Sequence, residues 1–79
     1  MGIRAFVFIE TAIGKTKEVL TSLQKVEGIK SADTVTGAYD IIAVVEQEDV
    51  NTVGYLVTSK IHPISGITRT VTCLSIPLS

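Results

Sequence analysis

Two β-rich stretches of this chain carry apolar side chains at both odd and even positions, and in 79 residues nothing constrains the fold more tightly. In residues 3–10, Ile3, Ala5, Val7 and Ile9 share one parity while Phe6 and Phe8 take the other. In residues 39–46, Tyr39, Ile41, Ala43 and Val45 alternate with Asp40, Ile42 and Val44. Successive side chains of a strand point to opposite faces, so a strand with one wet face alternates apolar with polar. Both strands therefore want cover on two sides. Helices of the same chain supply one cover, and so short a chain leaves the other to a second subunit. The energetic scale points the same way: ordering costs roughly 1.5 kcal/mol per residue, and a domain this small buries only about 60% of its unfolded surface. A hydrophobic content of 46% and a mean hydropathy of +0.44 are high for a soluble chain without a cofactor motif, which again favours association over a lone monomer.

The remaining periodicities supply the helices and the other strands. Val19, Leu20, Leu23 and Val26 recur at helical spacing while Lys15, Lys17, Glu18, Gln24 and Lys25 fall elsewhere on the wheel, which predicts an amphipathic helix over 14–26. Gly28 suits its C-terminal cap, and residues 29–36 read as a more polar strand closed by Thr36-Gly37. Asp49 is a good N-cap for a second helix with Val50, Val53, Leu56, Val57 and Ile61 as its core stripe, and Pro63 stops it. The last strand, over 67–76, sets Thr68, Thr70 and Thr72 against Val71 and Cys73. Residues 26–31 and 64–69 resemble each other, and each stretch joins a helix to a strand. The expectation is one domain over 1–79 of the α+β class: a ferredoxin-like βαββαβ fold of the dimeric α+β barrel type. Its four-stranded antiparallel sheet would carry two helices on one face.

Charge and cysteine usage narrow the function. Seven Lys+Arg against eight Asp+Glu give a net charge of −1, and the bases are scattered rather than massed, which argues against direct nucleic-acid binding. The lone Cys73 builds neither an internal disulfide nor a zinc site, so no metal or cofactor is expected and a reducing cytoplasm fits. No apolar run approaches the ~20 residues of a membrane span, and the start of the chain lacks a signal-peptide core. Met1-Gly2 suggests myristoylation, but Phe6 stands where that motif wants Ser or Thr.

Gly37-Ala38-Tyr39-Asp40 sits between two strand-like runs and is the best clue to chemistry. A glycine free to take positive φ, followed by an aromatic and a carboxylate, presents backbone N–H groups beside one negative charge. Those are the groups a zwitterionic amino acid needs. Asp40 fits either that role or a hydrogen bond to its own turn, and Tyr39 fits a ligand contact less well than packing with a tethered hydroxyl. His62 lies beside Pro63 at a helix end, where a cap or surface role suits it better than base catalysis, because no nucleophile or orienting partner accompanies it.

With this motif, the two Gly-Ile junctions and the length, the chain resembles the effector-binding domain of the Lrp/AsnC regulators, the RAM (regulation of amino-acid metabolism) domain. Val35 to Asp40 resembles the family's G-x-[YF]-D stretch, and Ile64-Ser65-Gly66-Ile67 its L-P-G-V turn with Ser where Pro is common. The chain begins at the first strand, whereas full-length members carry a helix-turn-helix domain, so it looks like the stand-alone type and DNA binding does not carry over. The resemblance implies a homodimer joined through its sheets, ring-like assemblies of dimers, and small amino acids bound in clefts between dimers, with a full-length regulator as a further partner. Carried over residue by residue, it implies a ligand site of Gly37, Tyr39 and Asp40, with Val50 at the start of the second helix and Cys73, Leu74 and Ser75 late in the last strand. Two alternatives stand beside this sensor reading: a cofactor-free dimeric α+β barrel enzyme with His62 or Asp40 as base, and a ligand-free structural partner of longer members.

Overall fold

The computed structural model describes residues 2–78. Four strands, β1 (Ile3–Thr11), β2 (Ile29–Thr34), β3 (Ile41–Gln47) and β4 (Ile67–Leu74), alternate with two helices, α1 (Thr16–Gln24) and α2 (Val50–Leu56). The sheet runs β2-β3-β1-β4, with β1 antiparallel to both β3 and β4 and β2 antiparallel to β3. The expected βαββαβ order and antiparallel sheet are what the chain forms.

Register explains the core. Ala5, Val7 and Ile9 stand opposite Val45, Ala43 and Ile41, so one parity of both inner strands faces the helices. All six are fully buried, as are Val19 and Leu23 of α1 and Ile61, and Val53, Leu56 and Val57 from the second helical segment are nearly so. The other parity sets Phe6 against Val44 and Cys73, and Phe8 against Ile42 and Val71. Phe6, Phe8, Ile42, Val44 and Val71 are half-buried, and among the described residues no helix lies over them. The doubly apolar strands thus produce an apolar sheet face that this chain leaves open.

Several element ends differ from the sequence reading, each for a local reason. The first helix is shorter than 14–26 because Gly14, at φ +82°, belongs to a turn, while Lys25 and Val26 bond back only three residues, to Ser22 and Leu23. β3 starts at Ile41 rather than Tyr39; Asp40 still bonds to β1, its N–H donating to the Ile9 carbonyl at 2.9 Å, but it lies outside the regular strand. β4 ends at Leu74 rather than at 76 because its partner runs out: the Ser75 N–H reaches Arg4 at 2.8 Å and β1 begins at Ile3.

Asp49 caps α2 as expected, with Oδ1 accepting from the Thr52 N–H and the Thr52 hydroxyl, each at 2.8 Å. Past Leu56 the helix widens, and the His62 N–H reaches the Val57 carbonyl five residues back. The Thr58 hydroxyl donates to the Gly54 carbonyl at 2.9 Å, a side chain competing for the helix's own acceptor. The widened turn keeps both Val57 and Ile61 in the core. The repeated junctions behave alike: Gly28 and Gly66 have φ of +98° and +102°. A Cβ on Gly66 would lie 2.9 Å from the Val19 side chain, and one on Gly28 2.6 Å from Gln47.

Candidate functional site

The Gly37–Asp40 turn is anchored at one end and open at the other. Val35 N–H donates to the Asp40 carbonyl at 2.9 Å, closing the loop. The Asp40 carboxylate turns inward, where Oδ2 accepts from the Thr11 N–H at 2.8 Å. That N–H lies at the irregularity where the register of β1 against β4 shifts, so the carboxylate supplies an acceptor that the broken ladder withdraws. Among the described residues nothing donates to Oδ1, and no group accepts from the N–H groups of Thr36, Gly37 or Ala38. Gly37 has φ +121° and no atom within 4 Å of where a Cβ would stand, so the loop faces solvent.

Tyr39 belongs to the open sheet face. Its ring lies 5.6 Å from that of Phe8 at a 49° tilt, and the Arg69 guanidinium sits 5.7 Å from its centroid. These contacts hold the ring in place by packing and by cation–π attraction. Neither Thr11 nor Arg69 was singled out from sequence, since both reach the turn through pairings between distant strands.

The remaining candidates lie at the opposite end of the sheet. Ser75 bonds to Arg4, while Asp40 bonds to Ile9, which places the two groups roughly 17 Å apart along β1 at about 3.3 Å per residue. Cys73 and Leu74 pair with Phe6 and Ala5 near that same end. Val50 follows Gln47, which stands opposite Ile3, so it shares this end too. Cys73, Leu74, Ser75 and Val50 are all exposed. One chain therefore presents Gly37, Tyr39 and Asp40 at one end and Val50, Cys73, Leu74 and Ser75 at the other, and does not bring the two sets together.

The carboxylates whose titration is shifted belong to the scaffold. Hydrogen bonds from Arg4 and then Lys30 hold the Glu46 carboxyl below the usual range, and the Thr52 N–H does the same for Asp49. His62 is tied to the Thr70 hydroxyl at 3.0 Å and shares no hydrogen bond with Asp40 among the described residues. Nor do those residues gather three or more His, Cys, Asp or Glu side chains as a metal site would. No helix among them is long and apolar enough to cross a membrane.

An antiparallel βαββαβ sheet with one open apolar face, and a loop whose unbonded N–H groups adjoin a carboxylate, are the features of a ligand-binding class of domain. The chain belongs to the Lrp/AsnC ligand binding domain family, whose model matches residues 4–77. It is 35% identical over 78 residues to an uncharacterized HTH-type transcriptional regulator of Pyrococcus furiosus, covering 95% of this chain and 52% of that one. The chain thus spans about half the length of this curated relative. A crystal structure of a Thermus thermophilus protein superposes with a TM-score of 0.91 at 28% identity, over 98% of this chain and 96% of that one. A transcriptional regulator from Neisseria meningitidis, solved as an L-Met complex, shares the fold with a TM-score of 0.85 at 17% identity, over 96% of this chain and 51% of its own.

Proposed function

We propose that this chain is a non-enzymatic effector module that binds a free amino acid between copies of itself. The observation that carries this reading is the separation of the candidate residues. In one copy, the unbonded N–H groups around Gly37 suit the ligand carboxylate and the free Asp40 oxygen suits its ammonium. Val50, Cys73, Leu74 and Ser75 of a neighbouring copy supply the surface for the side chain. That the Neisseria meningitidis regulator was solved with L-Met favours an amino acid as the ligand class.

The assembly we infer begins with a homodimer that covers Phe6, Phe8, Ile42, Val44 and Val71 against the same face of a second copy, and continues into a ring of dimers. It works in the cytoplasm, alone or with a full-length Lrp/AsnC regulator, to modulate transcription or metabolism. Its mechanism is linkage: a ligand bound across the contact favours the assembled state by its differential affinity. The Asp40–Thr11 bond and the packed Tyr39 ring favour a second reading, in which the motif is purely structural and the chain is a ligand-free partner of longer regulators.

A thermal-shift screen against the twenty amino acids separates the two. A ligand present at 100 times its dissociation constant adds about 2.7 kcal/mol of stability. A shift with one or a few amino acids supports the sensor; no shift with any of them leaves the structural partner.

A further inference from the structure

Ile13 is fully exposed, at the corner of the turn from β1 into α1. The turn is not loose. Lys15 N–H bonds to the Ala12 carbonyl at 3.0 Å and Gly14 takes φ +82°, the pattern of a type II turn with glycine at its third position. Ala12 N–H is tied to the Gly66 carbonyl at 2.8 Å, Thr11 N–H to Asp40 at 2.8 Å, and the Thr11 and Thr16 hydroxyls to each other at 2.7 Å. A large apolar side chain is therefore held out on a stiff support, and an anchor that is already ordered loses little entropy on docking.

The opposite end of β1 carries a matching surface. Leu74, Ile76 and Leu78 alternate along the chain as it leaves the sheet, 43%, 73% and 93% exposed, and Val50 is 53% exposed at the same end. A recess of about 390 Å³ lies beside them, lined by Gly2, Ile3, Arg4, Ser75 and Pro77. Charge matches as well. Lys15, the N-cap of α1, pairs with Glu18 at 3.5 Å, while Lys17 in the first turn, where a positive charge opposes the helix dipole, has no acidic partner among the described residues. Glu48 and Asp49 precede Val50, and Glu48 has no basic partner there.

We propose that Ile13 is the apolar anchor of a head-to-tail contact. In it, the Ala12–Lys15 turn of one copy seats against the Val50 and Leu74–Leu78 end of the next, with Lys17 facing Glu48. The inference rests on the reading that dimers of this chain assemble further. Because knob and seat differ, the contact is heterologous, and repetition closes it into a ring or extends it as a filament. It also brings the Asp40 end of one copy to the Val50 end of another, completing the divided ligand site.

Sedimentation velocity over a range of concentrations tests this on wild type, Ile13→Ala, Ile13→Asp, Lys17→Glu, Glu48→Lys and the double charge reversal. With Ile13→Asp, species larger than the dimer should fall back to dimers through contacts about tenfold to a hundredfold weaker, with the circular dichroism spectrum unchanged. Ile13→Ala should weaken them less, and the double reversal should recover assembly that each single reversal loses. Larger assemblies that survive Ile13→Asp intact overturn the anchor while leaving the assembly reading in place. A wild type that stops at the dimer overturns both, and a monomer sinks the sheet-face dimer as well. If Ile13→Asp spares the homo-oligomer but abolishes co-assembly with a full-length Lrp/AsnC regulator, the occupant is that partner and the proposal as stated is wrong.

Discussion

Asp40 has two candidate duties, holding Thr11 and receiving a ligand ammonium, and two substitutions separate them. Asp40→Ala removes the acceptor from the part-buried Thr11 N–H, and stripping such a donor of its partner costs about 1–3 kcal/mol. A fold of 79 residues is only about 4–12 kcal/mol more stable than its unfolded state at about 0.05–0.15 kcal/mol per residue. A loss of about 2 kcal/mol lowers the melting temperature by roughly 8–16 °C in a domain of this size. Asp40→Asn keeps a side-chain oxygen in reach of Thr11 but turns a charge-assisted bond into a neutral one, a loss of about 1 kcal/mol. Stability should therefore rank wild type above Asn above Ala in urea unfolding followed by circular dichroism. Ligand response should not follow that order, since Asn loses the charge as completely as Ala does. An Ala variant as stable as wild type refutes the Thr11 argument, and an Asn variant with undiminished amino-acid response refutes the ammonium role.

Three further outcomes follow from the geometry. Gly66→Ala should destabilise by about 2–4 kcal/mol, combining left-handed strain with the 2.9 Å approach to Val19, whereas Gly37→Ala, in open space, should cost only about 1–2 kcal/mol; paired urea midpoints check the difference. Phe8→Asp on the open sheet face should shift the proposed dimer to monomer in light scattering, and should disturb the buried core little because Phe8 has the opposite parity to Val7 and Ile9. Glu46 and Asp49 both have lowered folded pKa values, so their contribution is present above the ordinary carboxylate range of about 4 and is lost as pH falls through the depressed values. The urea midpoint should fall with acid below that range, and less steeply in Glu46→Gln or in high salt, since the Arg4 and Lys30 pairs are exposed.

Much of the fold was legible because its signals are local. Helical spacing from Val19 to Val26, the Asp49 cap and the two Gly-Ile junctions each report on a few neighbouring residues. The doubly apolar strands went further and announced an open apolar sheet face. What stayed hidden depends on pairing between distant segments. That Asp40 would reach Thr11, or Arg69 lie over Tyr39, follows from register, which periodicity alone does not reveal. The same applies to the candidate site: its seven residues read as one group along the chain, and only the antiparallel pairings of β1 with β3 and β4 show that they occupy opposite ends. The widened turn at Val57–Ile61 had no sequence signal that we recognise.

The sheet order β2-β3-β1-β4 places the first strand beside the last, and this shapes how the chain reaches its fold. β1 is the hub, yet both of its partners lie far along the sequence, so each pairing must close a long loop before it yields any contact. No early hairpin shields Phe6 and Phe8: the local pair is β2 with β3, and it leaves β1 to find its partners at long range. Until β4 arrives, β1 has an unpaired edge as well as two apolar faces, the condition in which strands join wrong partners. Folding should therefore be slow for so small a domain, and its refolding yield should fall as the concentration of half-formed chains rises.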